Sequence, residues 1–99
     1  MAELVVVLWR DIPTQVIARA GRKTAKRELP ARFMVAVDAA AMASGARDDD
    51  AYLADWRRAG PTPCGDDLEA EAEAAAARLD ASLPPEALAA LVRAGGRAA

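Results

Sequence analysis

Leu4-Val5-Val6-Val7-Leu8-Trp9-Arg10-Asp11-Ile12-Pro13 is the most apolar run of the chain, and it ends abruptly in an aromatic, a cation, an anion and a proline. A continuous apolar stretch rich in β-branched Val predicts a strand that is paired or covered on both sides. Leu4, Val6 and Leu8 fall on one face and Val5, Val7 and Trp9 on the other. Pro13 holds Ile12 extended, so the corner from Arg10 to Pro13 reads as a hairpin loop.

Working outward, Thr14 to Ala20 predicts a second strand, with Val16 and Ala18 on one face and Gln15, Ile17 and Arg19 on the other. Gly21-Arg22 has the Gly-X form of a two-residue hairpin turn, and Lys23 to Leu29 returns as a third strand. In a three-stranded meander the first strand is an edge, yet here it is the least polar of the three. Such an edge must be covered by a helix, by the C-terminal segment or by a second copy. Homodimerisation through residues 4–9 is therefore one expectation.

Pro30 suits a first helical turn, and Phe33, Val37, Ala40 and Ala41 recur at helical spacing, with Arg32 and Asp38 on the wet side. Gly45 reads as a cap. Asp48-Asp49-Asp50 opens a second helix through Tyr52, Leu53 and Trp56 to Arg57 and Arg58, acids first and bases last as the helix dipole favours. Residues 59–65, AGPTPCG, read as loop. Asp66 starts a third, Ala-rich helix, Ser82 to Pro85 breaks it, and a fourth runs through Leu88, Leu91 and Val92 before Gly95-Gly96, after which the chain is expected to fray. The fold class is thus α+β: a small three-stranded antiparallel sheet packed by helices, with two Ala-rich C-terminal helices. One domain is expected over 1–99, with a core over 4–58 and a helical extension over 66–94.

Of 99 residues, 27 are Ala and only 25 are Val, Ile, Leu, Met, Phe, Trp or Tyr, so a few large side chains must supply most of the burial, each worth about 1.5–3 kcal/mol. The net charge is −2 but unevenly placed, with a basic front and an acidic back. The lone Cys64 closes no intramolecular disulfide, and the chain enters its first strand without a signal-like segment or a membrane span. A cytoplasmic location is the expectation.

The absence of histidine removes Ser-His and Cys-His catalysis, the usual imidazole base and the usual nitrogen ligands of zinc. No phosphate-binding or dinucleotide motif occurs. Cys64 precedes a helix, where a thiol can be activated, but Asp66 and Asp67 beside it oppose the thiolate. Asp48 to Asp50 and Asp66-Asp67 lack the spacing of a calcium loop and are accounted for by capping. An enzyme using Cys64 or these carboxylates is the weakest reading, and neither metal nor cofactor is expected.

Arg19, Arg22, Lys23, Lys26, Arg27 and Arg32 make a basic hairpin that could track a phosphate backbone. It lacks stacking aromatics and the overall balance is acidic, so charge protecting a strand edge accounts for it better, with nucleic-acid binding as the alternative. Trp9, Arg10 and Asp11, with Trp56 and Arg57, are the candidates for an interaction site or anchor. Equally, Arg10 could pair with Asp55 or Asp38 and merely tie sheet to helix.

Trp9 to Val16, Gly21-Arg22, Leu29-Pro30-Ala31-Arg32-Phe33, Asp38 with Ala40 to Met42, Asp50 to Leu53 and Trp56-Arg57-Arg58 together resemble a small bacterial "virulence factor" family. Its domain also occurs in the longer conserved virulence factor C proteins. The resemblance covers residues 4–58, and the Pro63 to Asp67 and Pro84-Pro85 segments look like its stand-alone members. It implies no catalytic residue. Stand-alone relatives tend to be encoded near tetrahydrofolate and corrinoid methyl-transfer proteins, which implies an accessory role there. The overall expectation is a non-enzymatic accessory domain that binds a protein partner.

Overall fold

In the computed structural model, which describes residues 1–45 and 49–98, the opening run is a central strand and not an edge. The strands are β1 (Glu3–Trp9), β2 (Ile12–Ala20), β3 (Lys23–Glu28) and β4 (Trp56–Pro63), and the helices are α1 (Ala31–Ala43), α2 (Asp49–Ala54), α3 (Leu68–Ser82) and α4 (Pro85–Arg93). The sheet order is β3-β2-β1-β4, antiparallel throughout. The α+β class holds, with four strands in place of three.

The fourth strand corrects two expectations. Residues 56–58 do not end a helix and 59–63 are not loop: Trp56 pairs with Trp9, Arg57 with Leu8, Arg58 with Val7 and Thr62 with Leu4. An edge strand tolerates Pro61 and Pro63 because a proline there can turn its missing N–H side to solvent. Both edges of β1 are therefore hydrogen-bonded within the chain, and it has none left for pairing residues 4–9 with a second copy. Gly60 sits at φ 104 where the β1–β4 register shifts, and a Cβ there would lie 2.8 Å from the Leu4 carbonyl oxygen.

Both hairpins fall where the sequence signals them, but the first turn is shorter than expected, because Ile12 and Pro13 already belong to β2 and pair with Trp9 and Leu8. Gly21 takes φ 59 between the paired Ala20 and Lys23. Arg10-Asp11 joins Trp9 to its partner Ile12, with Arg10 itself at φ 54, a conformation that bulky residues seldom hold unaided. Where the β1–β2 register shifts between Val7 and Leu8, the buried Thr14 hydroxyl donates to the Val7 carbonyl at 3.0 Å.

Two clusters form the core. Val16, Ala18 and Ala25 of the sheet meet Ala72 and Ala75 of α3, so small residues on both sides let the helix lie close to the strands. At the other end Trp9, Ile12 and Leu29 meet Phe33, Ala36, Val37, Ala40 and Ala41 of α1 and Leu88 of α4. Both C-terminal helices thus build the core and do not merely extend it. Arg32, expected on the wet face, donates to the carbonyls of Asp80 and Leu83 and pairs with the Asp80 carboxylate at 2.6 Å, tying α1 to the α3–α4 turn.

Candidate functional site

Trp9, Arg10 and Asp11 sit at the end of the β1–β2 hairpin, and the fold brings two remote segments to them, residues 52–57 and 95–98. The Arg10 N–H donates to the Asp55 carbonyl at 3.0 Å, its Nε to Asp55 Oδ2 at 3.0 Å and its Nη1 to the Gly95 carbonyl at 2.7 Å. These bonds hold Arg10 in its uncommon backbone conformation. Its guanidinium also lies 4.5 Å above the Trp9 ring, a favourable cation–π placement. Of the two partners foreseen for Arg10, Asp55 is the one used.

Trp9 is fully buried, with its indole N–H donating to the Tyr52 carbonyl at 2.8 Å. Its ring stacks on Tyr52, which meets Trp56 edge-on, each pair with centroids 5.9 Å apart. Burial, with the charge of Asp38, pushes the Tyr52 hydroxyl up.

Asp11 makes the outer half of the corner. Its N–H donates to the Gly96 carbonyl at 2.8 Å, its Oδ2 accepts from the Ala98 N–H at 2.6 Å and its Oδ1 accepts from Arg57 Nη2 at 2.9 Å. Arg57 Nε also donates to the Arg10 carbonyl at 2.8 Å. The Ala98 N–H does most to hold the Asp11 carboxyl below its ordinary value; partial desolvation opposes this, and Arg57 adds a hydrogen bond and its charge.

The fold thus gathers all five sequence candidates, Trp9, Arg10, Asp11, Trp56 and Arg57, at one end of the sheet. Sequence reasoning missed the C-terminal turn: Gly95 and Gly96, read only as a helix end, supply two carbonyls to the corner, and Ala98, expected to fray, supplies an N–H. Gly95 and Gly96 hold φ 72 and 89, and a Cβ on Gly96 would come within 3.0 Å of the Trp9 ring. Adjacent glycines after a helix were the available signal. The polar atoms of Arg10 and Asp11 named above bond within the chain and tie the hairpin to residues 55–57 and 95–98.

The basic group is not one patch. Arg19 pairs with Glu3 at 2.7 Å, Arg27 with Glu69 and Arg32 with Asp80, while Arg22, Lys23 and Lys26 are exposed and unpaired among the described residues. Partial burial pushes the Cys64 thiol up, and Glu71, Asp66 and Glu3 add to this, the reverse of what a reactive cysteine needs. Asp67, not Asp66, caps α3 through the Ala70 N–H at 3.2 Å. Asp48 and the side chain of Asp49 lie outside the described residues. Among those described, no group of three or more His, Cys, Asp or Glu converges, and no helix is long and apolar enough to cross a membrane.

Several shallow concavities open on the described surface, two of them beside α1. A cleft of about 530 Å³ lies beside the corner, lined by Val7, Gln15, Glu28, Met34 and Trp56 among others. A groove of about 220 Å³ runs between α1 and α4, lined almost wholly by apolar side chains. The outer side of α1 beside it exposes Val35 by 65%, Met42 by 63% and Met34 by 41%.

No curated protein and no solved structure matches this chain. The family model described as Virulence factor matches residues 7–92, and the chain belongs to that family.

Proposed function

We propose that this chain is a non-enzymatic interaction domain that binds through the outer face of α1 and the groove beside it. The observation that carries this is the exposure of Val35 and Met42, together with Met34, along one helix of a chain that has few large apolar residues. The polar groups of the Arg10–Asp11 corner are instead bonded to the chain's own residues 55–57 and 95–98. The accessory role beside tetrahydrofolate and corrinoid methyl-transfer proteins, implied by the resemblance, is a role of this kind.

Val35→Glu with Met42→Glu tests the proposal. The double variant should keep its circular dichroism spectrum and melting profile while a partner retained by the wild-type protein from its native cell is lost. Turnover of a substrate by the purified protein alone, abolished by Arg10→Ala or Asp11→Asn with the fold intact, would refute it. Nucleic-acid binding, the second reading, is left with Arg22, Lys23 and Lys26, a small cationic tip without an aromatic side chain to stack bases.

A further inference from the structure

Helix α4 carries Glu86, Ala89, Ala90 and Arg93 at i, i+3, i+4 and i+7, so the four share one face, and all four are exposed. The acid lies in the first turn and the base in the last, about 10 Å apart along the axis at the helical rise. Neither forms an ion pair among the described residues. A stripe that reads acid, Ala, Ala, base is its own complement when reversed. An antiparallel copy sets Glu86 of each protomer against Arg93 of its partner, two ion pairs flanking a centre small enough for axes to approach to about 8 Å.

The apolar groove adjoins this stripe and shares Ala89 with it. Its floor is Ala36 and Leu88, and across from Ala89 and Val92 stand Val35 and Ala39 of α1. A helix lying against α4 covers the groove as well, and a second copy of α4 brings Val92 and Pro85 to do so.

We propose that the chain forms a two-fold dimer, α4 against α4 antiparallel about an axis near Ala89 and Ala90, each copy covering the other's α1–α4 groove. The interface is isologous and closes at two subunits. It names the partner at the surface that the interaction reading identifies, and it rests on that reading. Charge order favours a second copy, because its reversed stripe satisfies both ion pairs at once.

Sedimentation velocity and light scattering over about 1–100 µM, spanning the range of a micromolar dimer, test this. The wild-type protein should approach twice the 10.4 kDa chain mass, and Ala89→Glu should return it to one chain with an unchanged circular dichroism spectrum. Glu86→Arg and Arg93→Glu should each weaken the dimer about tenfold by setting like charges together twice per interface, and the double exchange should restore it. A single-chain mass throughout, a dimer indifferent to Ala89→Glu, or a double exchange no tighter than the single ones would overturn the proposal. If the wild-type protein is monomeric while Val35→Glu with Met42→Glu still abolishes capture of another protein, the dimer falls and the interaction reading stands.

Discussion

Asp55→Ala cuts one side of the corner and leaves a mostly buried guanidinium without its carboxylate. The side chains of Arg10 and Asp55 are 13% and 27% exposed, so the pair is neither fully wet nor dry. Exposed pairs contribute about 0–1 kcal/mol and breaking a dry one costs about 3–5 kcal/mol, so a loss of about 2 kcal/mol is expected here. The loss is moderated because Arg10 keeps its backbone bond to the residue 55 carbonyl and its Nη1 bond to Gly95. The second contact of Asp55, with Arg97 at 3.6 Å, adds little, because Arg97 is largely solvated. Against a total stability of about 5–15 kcal/mol this is a large fraction, and the thermal midpoint should fall by about 8–16 °C. Urea unfolding followed by indole fluorescence measures it, since Trp9 and Trp56 both lie at the corner. The denaturation midpoint should drop with the slope unchanged. A loss below about 0.5 kcal/mol would mean that water screens the pair and that the corner does not hold the segments together.

Gly60→Ala should cost about 1–3 kcal/mol in the same titration, because the residue is at φ 104 and its new Cβ would meet the Leu4 carbonyl; a neutral outcome would contradict the β1–β4 register. Asp11 has a folded pKa below its ordinary 3.8, so it contributes stability above that value that is lost as pH falls through the folded pKa; Asp11→Asn should therefore flatten the decline of stability in acid below about pH 4, and an unchanged slope would refute the assignment. Cys64 has a raised pKa, so at about pH 8 its alkylation in the folded protein should be slower than in urea-unfolded chain, and faster labelling when folded would contradict the assignment.

The first three strands were readable because each carries a local signal: the Val-rich run, the proline after Ile12 and the glycine at the second turn. Helix α1 likewise followed from Phe33, Val37, Ala40 and Ala41. Strand β4 was not readable because its proline and glycine content signals loop and only its place beside β1 makes it a strand. The excess apolarity of β1 did point to a missing neighbour, and residues 56–63 supply it. The corner's members could be named from composition, but their partners are separated by 43 to 87 positions, a span over which no periodic pattern operates. Arg32 misled for a related reason. Helical phase put it towards water, but the turn between α3 and α4, a tertiary neighbour, comes to meet it.

The clasp between the β1–β2 hairpin and residues 95–98 has a consequence for synthesis. Arg10 and Asp11 are synthesised well before their partners, bonding to groups made 85 and 87 positions later. Until then Arg10 lacks the carbonyl of Gly95, and the Trp9 ring lacks the backbone of Gly96 packed against it. Contacts so distant in sequence carry the largest loop-closure entropy and are rewarded only once the intervening chain is in place. The corner is therefore a lock that only the emergence of residues 95–98 can close, and a nascent chain stalled short of Gly95 would hold its hairpin with that lock open.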